Sequence, residues 1–235
     1  MHTLVLWDID LTLVDYSGTG RRWYAQALAN VVGKPLDHLP TFPGRTERSL
    51  AKELLAAHGA AAGDAEIERI FAELESIVLA ARETLPTLGR ALPGAAQILT
   101  TLNARDDVVQ SLVTGNLPTL AGYKLEAFGL HHHVDFEIGG FGSLSEHRHD
   151  LVEAAMTQAS AKHGVSFDPS SVVVIGDTPA DVAAGRHHGT VTVGVATGRH
   201  SVAQLADSGA DVVLPDLADT PAVLKALLPC PPPRD

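Results

Sequence analysis

Apolar positions fall along this chain in two kinds of run. Short ones, β-branched or apolar and mostly bounded by turn formers, occupy Thr3–Trp7, Val108–Val113, Val172–Ile175, Val191–Val195 and Asp211–Leu214. Apolar runs of that length predict strands buried on both faces. Between them the pattern turns helical, over Gly94–Leu102, Leu117–Phe128, Asp150–His163 and Pro179–His188. Strands alternating with helices predict an α/β fold with a Rossmann-like, doubly wound parallel sheet.

Residues 16–87 break the alternation. No strand pattern occurs there, and helices are predicted over Gly20–Val32, Thr46–His58 and Asp64–Thr84. Asp64 suits an N-cap, with further acids in the first turn. The expected organisation is a core of residues 1–15 and 88–229 with a helical cap of residues 16–87. Turn formers place the hinges at Val14–Ser17 and Leu85–Pro93. The last six residues, CPPPRD (230–235), are too proline-rich for helix or sheet and are expected to be disordered.

Composition narrows this picture. A hydrophobic fraction of 45% over 235 residues supports a real core. The net charge of −11 argues against a nucleic-acid surface, which needs a basic face. The single cysteine, Cys230, makes neither an intrachain disulfide nor a cysteine metal cluster. No apolar run reaches the ~18 residues of a membrane span, and no signal-peptide pattern opens the chain. A soluble, cytoplasmic protein is expected, without nucleic-acid or membrane partners.

The segment LVLWDIDLTLVD (residues 4–15) carries acids where a buried strand should not. Asp8 and Asp10 stand at the C-terminal end of the first predicted strand, where ligands gather in open parallel sheets. A second pair, Asp177 and Asp181, follows the strand Val172–Ile175, with Thr178 as N-cap and Pro179 at the first helical position. Two carboxylates 4 Å apart repel by roughly 4 kcal/mol at an effective dielectric of 20. Four acids in one pocket therefore demand protonation or a cation, and Mg²⁺ is the usual choice beside a phosphate. Thr114-Gly115-Asn116 ends the strand Val108–Val113 ahead of a helix and offers a phosphate seat. Arg148, just before a predicted helix, can clamp phosphate oxygens. Lys124 and Lys162 are set aside, because both sit inside helical patterns away from the strand ends.

DIDLTL (8–13), VTGN (113–116), Arg148 and GDTPAD (176–181) resemble the four motifs of the haloacid dehalogenase-like hydrolase superfamily, in the family's order. The likeness covers nearly the whole chain, and the helical insert resembles the small cap of the phosphoglycolate-phosphatase-like branch. The resemblance implies a Mg²⁺-dependent phosphatase acting on a small phosphorylated metabolite. Asp8 would be the nucleophile that forms an aspartyl-phosphate, and Asp10 the general acid/base. Asp8, the backbone carbonyl of Asp10 and Asp177 would hold the metal, with Asp181 supporting it. Thr114, Gly115 and Asn116 would bind the phosphoryl group, and Arg148 would offset negative charge. Arg45, in the cap loop FPGRT, would face the substrate. The family most often has lysine where Arg148 stands. Its dehalogenases lack the second aspartate, so Asp10 favours phosphoryl transfer. Two alternatives stay open: a phosphomutase of the same branch, and, from a different class, a phosphoacceptor signalling module.

Overall fold

Leu4, Val5, Leu6 and Trp7 have no exposed surface, and Thr3–Trp7 (β1) lies in the middle of a six-stranded sheet. The structure is a computed structural model and describes residues 2–228. The tail 230–235 and its Cys230 lie outside the described residues. The other strands of the sheet are Val108–Thr114 (β4), Gly140–Phe141 (β5), Val172–Gly176 (β6), Val191–Val195 (β7) and Val212–Leu214 (β8). Their order is β5-β4-β1-β6-β7-β8, and every pairing is parallel. This is the Rossmann-like α/β sheet that the alternation predicts.

Side-chain alternation along β1 feeds two layers. Leu4 and Leu6 join Leu151, Val152, Ala155 and Ala159 of helix Arg148–His163 (α7) on one face. Val5 and Trp7 join Ile98, Leu99 and Leu102 of helix Ala95–Asn103 (α5) on the other. Trp7 Nε1 donates to Gln110 Oε1 at 3.2 Å, so the indole N–H is satisfied within the core.

The chain leaves β1 through a two-residue strand, Val14–Asp15 (β2), and returns through Arg90–Ala91 (β3). These pair antiparallel as a narrow ribbon that the apolar pattern is too short to reveal. Between them lie helices Thr19–Val32 (α1), Glu47–Ala57 (α2), Asp64–Ala80 (α3) and Leu85–Leu88 (α4). Both α1 and α2 pack on α3. The insert's apolar stripes belong to the same hydrophobic cluster as Val5 and Trp7, so one core runs from sheet to insert.

Three further elements depart from the pattern-based reading. Helix α3 takes Gly63 rather than Asp64 as its N-cap and ends at Ala80. β5 was not expected; a Cβ on Gly140 would lie 2.0 Å from Leu151 O, so only glycine lets this strand approach α7. Helix α7 begins at Arg148, two residues before the expected Asp150, with His147 as its N-cap.

Candidate active site

Register brings the motifs together. Trp7 pairs with Leu112 on one side and with Ile175 on the other, so β1, β4 and β6 end side by side. Asp8 follows directly, and its N–H donates to Ile175 O at 2.9 Å. The chain after β1 runs to β4 and β5 on one flank and then to β6 on the other, which makes this the switch point of the sheet. The strand stops at Trp7, and Leu11 takes a left-handed φ of 60° as the chain turns away.

Asp8, Asp177 and Asp181 each offer an oxygen within 4.8 Å of the others, and all three are buried. Helix Pro179–His187 (α8) fixes Asp181 through a capping box: its Oδ2 accepts from Thr178 N at 3.1 Å and Thr178 Oγ1 at 2.6 Å. A Cβ on Gly198 would lie 1.8 Å from Asp177 Oδ2, so the loop after β7 closes tightly on that acid. Burial pushes the Asp8 carboxyl up to about 7; Arg148 opposes the rise, and Asp181 and Asp10 add to it. Burial, together with the charges of Asp8 and Asp181, pushes Asp177 up to about 9. Carboxylates crowded this way call for positive charge, and three hard oxygen donors suit a hard divalent cation.

Part of that charge is built in. Arg148 Nη2 donates to Asp8 Oδ1 at 2.8 Å and to Val113 O at 3.2 Å, and lies 2.5 Å from Asp181 Oδ1. Asp10 sits apart from the three acids' contact and has its own cation. Lys124 Nζ donates to Asp10 Oδ1 at 2.8 Å, Asp10 Oδ2 at 2.7 Å and Asn116 Oδ1 at 2.6 Å. Asn116 Nδ2 donates to Asp10 Oδ2 and to Thr114 Oγ1, both at 2.8 Å. The Asp10 carboxylate is thus turned toward Lys124 and Asn116, whereas among the described residues the side-chain oxygens close enough together to share one ion are those of Asp8, Asp177 and Asp181.

Lys124, set aside on the sequence, is therefore at the centre of this end of the site. Its helix, Pro118–Glu126 (α6), buries Leu120, Ala121, Lys124 and Leu125. The signal was a lysine at helical spacing within an apolar stripe. Arg45 behaves in the opposite way. Its guanidinium donates to Ser49 Oγ at 2.9 Å, Glu53 Oε2 at 2.9 Å and Ser49 O at 3.1 Å, along α2 and not toward the acids. Arg45 nonetheless borders the cavity, and its backbone closes on the loop after β4: a Cβ on Gly115 would lie 2.0 Å from Arg45 O.

A cavity of about 310 Å³ opens above these groups, between sheet and insert. Asp8, Asp10, Thr114, Gly115, Asn116, Lys124, Arg148 and Asp177 border one end. Trp23, Tyr24, Phe42, Glu47, Leu50 and Leu74 of the insert border it too. Backbone hydrogen bonds tie the insert to the core beside it: Glu47 N donates to Gly115 O, and Arg48 N to Gly142 O, each at 2.9 Å. Glu47 is buried on the apolar stripe of α2 with Leu50, Ala51, Leu54 and Leu55, and accepts a very short hydrogen bond from the Tyr24 hydroxyl. Burial pushes the Glu47 carboxyl up to about 7; Tyr24 and Lys124 pull it down, and Asp10 adds to the rise. The sequence reading passed over this residue.

Residues 5–186 match the family model for haloacid dehalogenase-like hydrolases. The validoxylamine A 7'-phosphate phosphatase of Streptomyces hygroscopicus subsp. limoneus is 30% identical over 223 residues, which cover 93% of this chain and 96% of that protein. A hydrolase from Pseudomonas syringae superposes with a TM-score of 0.66 at 22% identity, over 97% of this chain and 100% of that one. A predicted phosphoglycolate phosphatase from Haemophilus somnus also gives 0.66, at 20% identity over 95% and 98%. Those two structures share the fold. With the family model spanning most of the chain and a curated relative matched almost end to end, this chain belongs to the haloacid dehalogenase-like hydrolases.

Proposed function

We propose that this chain is a Mg²⁺-dependent phosphomonoesterase acting on a small phosphorylated metabolite. Phosphatase activity is what the family and the curated relative support. The observation that carries the reading is the meeting of Asp8, Asp177, Asp181 and Arg148 at adjoining strand ends, facing a cavity.

In this reading an Asp8 oxygen attacks phosphorus, the bond from phosphorus to the leaving oxygen breaks, and Asp10 supplies the proton that oxygen takes. Water then attacks the aspartyl-phosphate. Asp10 takes the water's proton, phosphate leaves and Asp8 is regenerated. Lys124 and Asn116 hold Asp10 in place for both transfers. Thr114, Gly115 and Asn116 seat the phosphoryl oxygens at the start of α6. Asp8 and Asp177, with the Asp10 carbonyl and Asp181 in support, would hold Mg²⁺, which when bound withdraws charge from the phosphoryl oxygens. Residues 16–87 act as a cap that excludes water while the ester is cleaved.

The test is phosphate release from a panel of phosphorylated metabolites, with Mg²⁺, with EDTA and with Asp8→Asn. Release that needs Mg²⁺ and falls at least about thousandfold in Asp8→Asn is expected. Release indifferent to Asp8→Asn would sink the reading.

A further inference from the structure

The cavity has a second polar feature, far in chemistry from its acid end. Glu47 begins α2, where the helix N-terminus favours a carboxylate. That accounts for an acid at this position, but not for one that is only 8% exposed and borders a cavity. A carboxylate has room for about four hydrogen bonds. Among the described residues one side-chain donor serves it, the Tyr24 hydroxyl on Oε2. The nearest buried cation, Lys124, is committed to Asp10 and Asn116. Apolar side chains share the cavity wall with this acid: Trp23, Phe42, Leu50 and Leu74. Three arginines also border the cavity: Arg21 and Arg199 are solvent-exposed, and Arg45, partly buried, is held by Ser49 and Glu53.

We infer that Glu47, held by Tyr24, receives hydroxyl donors from the leaving group, so that the substrate is the phosphate ester of a neutral polyol. The inference rests on the phosphatase reading for what happens at the other end of the cavity. A polyol supplies the donors Glu47 lacks and lays its C–H faces on Trp23 and Phe42. An ester of a hydroxy acid, such as phosphoglycolate, would bring a second carboxylate toward Glu47 with no free buried cation to receive it. A buried site built for a hydroxyl donor discriminates strongly against a partner that leaves it unpaired.

The test measures kcat/KM for inositol monophosphate, phosphoglycolate and acetyl phosphate, with Mg²⁺, above the pH range where Glu47 titrates. In the wild type, inositol monophosphate is expected to exceed phosphoglycolate by at least about tenfold. Glu47→Gln should cut that ratio by about tenfold or more, while Tyr24→Phe, which keeps the carboxylate, should preserve the order of preference. Urea unfolding of both variants shows that each is folded. A wild-type preference for phosphoglycolate, or a ratio unmoved by Glu47→Gln, overturns the inference. Hydrolysis of acetyl phosphate without any preference between the two esters overturns it too, and leaves the phosphatase reading standing. If no compound is hydrolysed, calorimetric binding of the two esters to the wild type decides: tighter binding of inositol monophosphate upholds the inference, and equal or reversed affinities end it.

Discussion

Two cations meet the acids that follow β1, and they are built to opposite plans. Arg148 is buried, and so are the acids it touches, Asp8 and Asp181. Lys124 is just as buried, but the Asp10 side chain it grips is 39% exposed. The difference lies in what each would leave behind. Without Arg148, two buried carboxylates lose their compensation. Without Lys124, Asp10 can still be hydrated. The first cation belongs to the folding ledger as well as to the chemistry; the second chiefly aims a carboxylate.

The largest expected effect tests the first half of that contrast. In EDTA, Arg148→Met should lose about 3–5 kcal/mol of unfolding free energy by urea titration, the cost of orphaning buried charge. A loss under about 1 kcal/mol would show that the acid cluster is protonated and needs no partner. Mg²⁺ comes next. At a hundredfold excess over its dissociation constant it should stabilise the wild type by about 2.7 kcal/mol. It should stabilise Arg148→Met by more, because the same acids are then short of positive charge. Lys124→Met should gain no more than the wild type. Melting curves of the three proteins with and without Mg²⁺ check this, and equal gains would erase the distinction. Asp177→Asn sharpens it further: removing a charge from the crowded cluster should raise stability in EDTA and abolish the Mg²⁺ response.

How far these two cations were legible beforehand follows from where they sit. Runs rich in apolar and β-branched residues revealed β1, β4 and β6, and acids or hydroxyls gathered together just beyond several such runs are hard to explain as scaffolding. That exposed Asp8, Asp10, Thr114, Asp177 and Asp181, and Arg148 stood out at a predicted helix start. Lys124 and Glu47 were hidden by the opposite circumstance. Each occupies a buried position of an amphipathic helix: Lys124 with Leu120, Ala121 and Leu125, Glu47 with Leu50, Ala51, Leu54 and Leu55. A charge in an apolar stripe reads as an interruption until the sheet is placed opposite it. Arg45 borders the cavity, but the sequence of its loop does not reveal that Glu53 holds its guanidinium. β5 escaped notice because its start depends on a glycine's missing Cβ and not on apolar pattern.

Glu47 gives a pH-dependent effect with a definite sign. Its carboxyl is raised from 4.5 to about 7 in the folded protein. Between those values the folded chain keeps a proton that the unfolded chain has released. Its contribution is therefore fully present below 4.5 and is lost as pH rises toward 7. The slope cannot exceed about 1.4 kcal/mol per pH unit for one group. Glu47→Gln should flatten the wild-type decline across this window, as read from urea midpoints at several pH values. Parallel pH profiles would mean that Glu47 stays ionised in the folded state.

The smallest stability change belongs to Lys124→Met, and it matters most to the contrast. Asp10 is exposed enough for solvent to screen the pair, so the loss should be about 1 kcal/mol or less. Activity should fall further than stability. In the proposed mechanism Lys124 and Asn116 set the direction in which Asp10 delivers its proton, and a misplaced acid/base group costs on the order of 10²-fold in kcat. KM should move little, because Lys124 has no donor free for substrate while Asp10 and Asn116 hold it. Lys124→Arg should keep the charge but not the grip, since a forked guanidinium does not fit where one ammonium meets three oxygens. If kcat survives Lys124→Met while stability drops by several kcal/mol, the two cations have exchanged roles. Lys124 would then be the structural partner and Arg148 the one that steers chemistry.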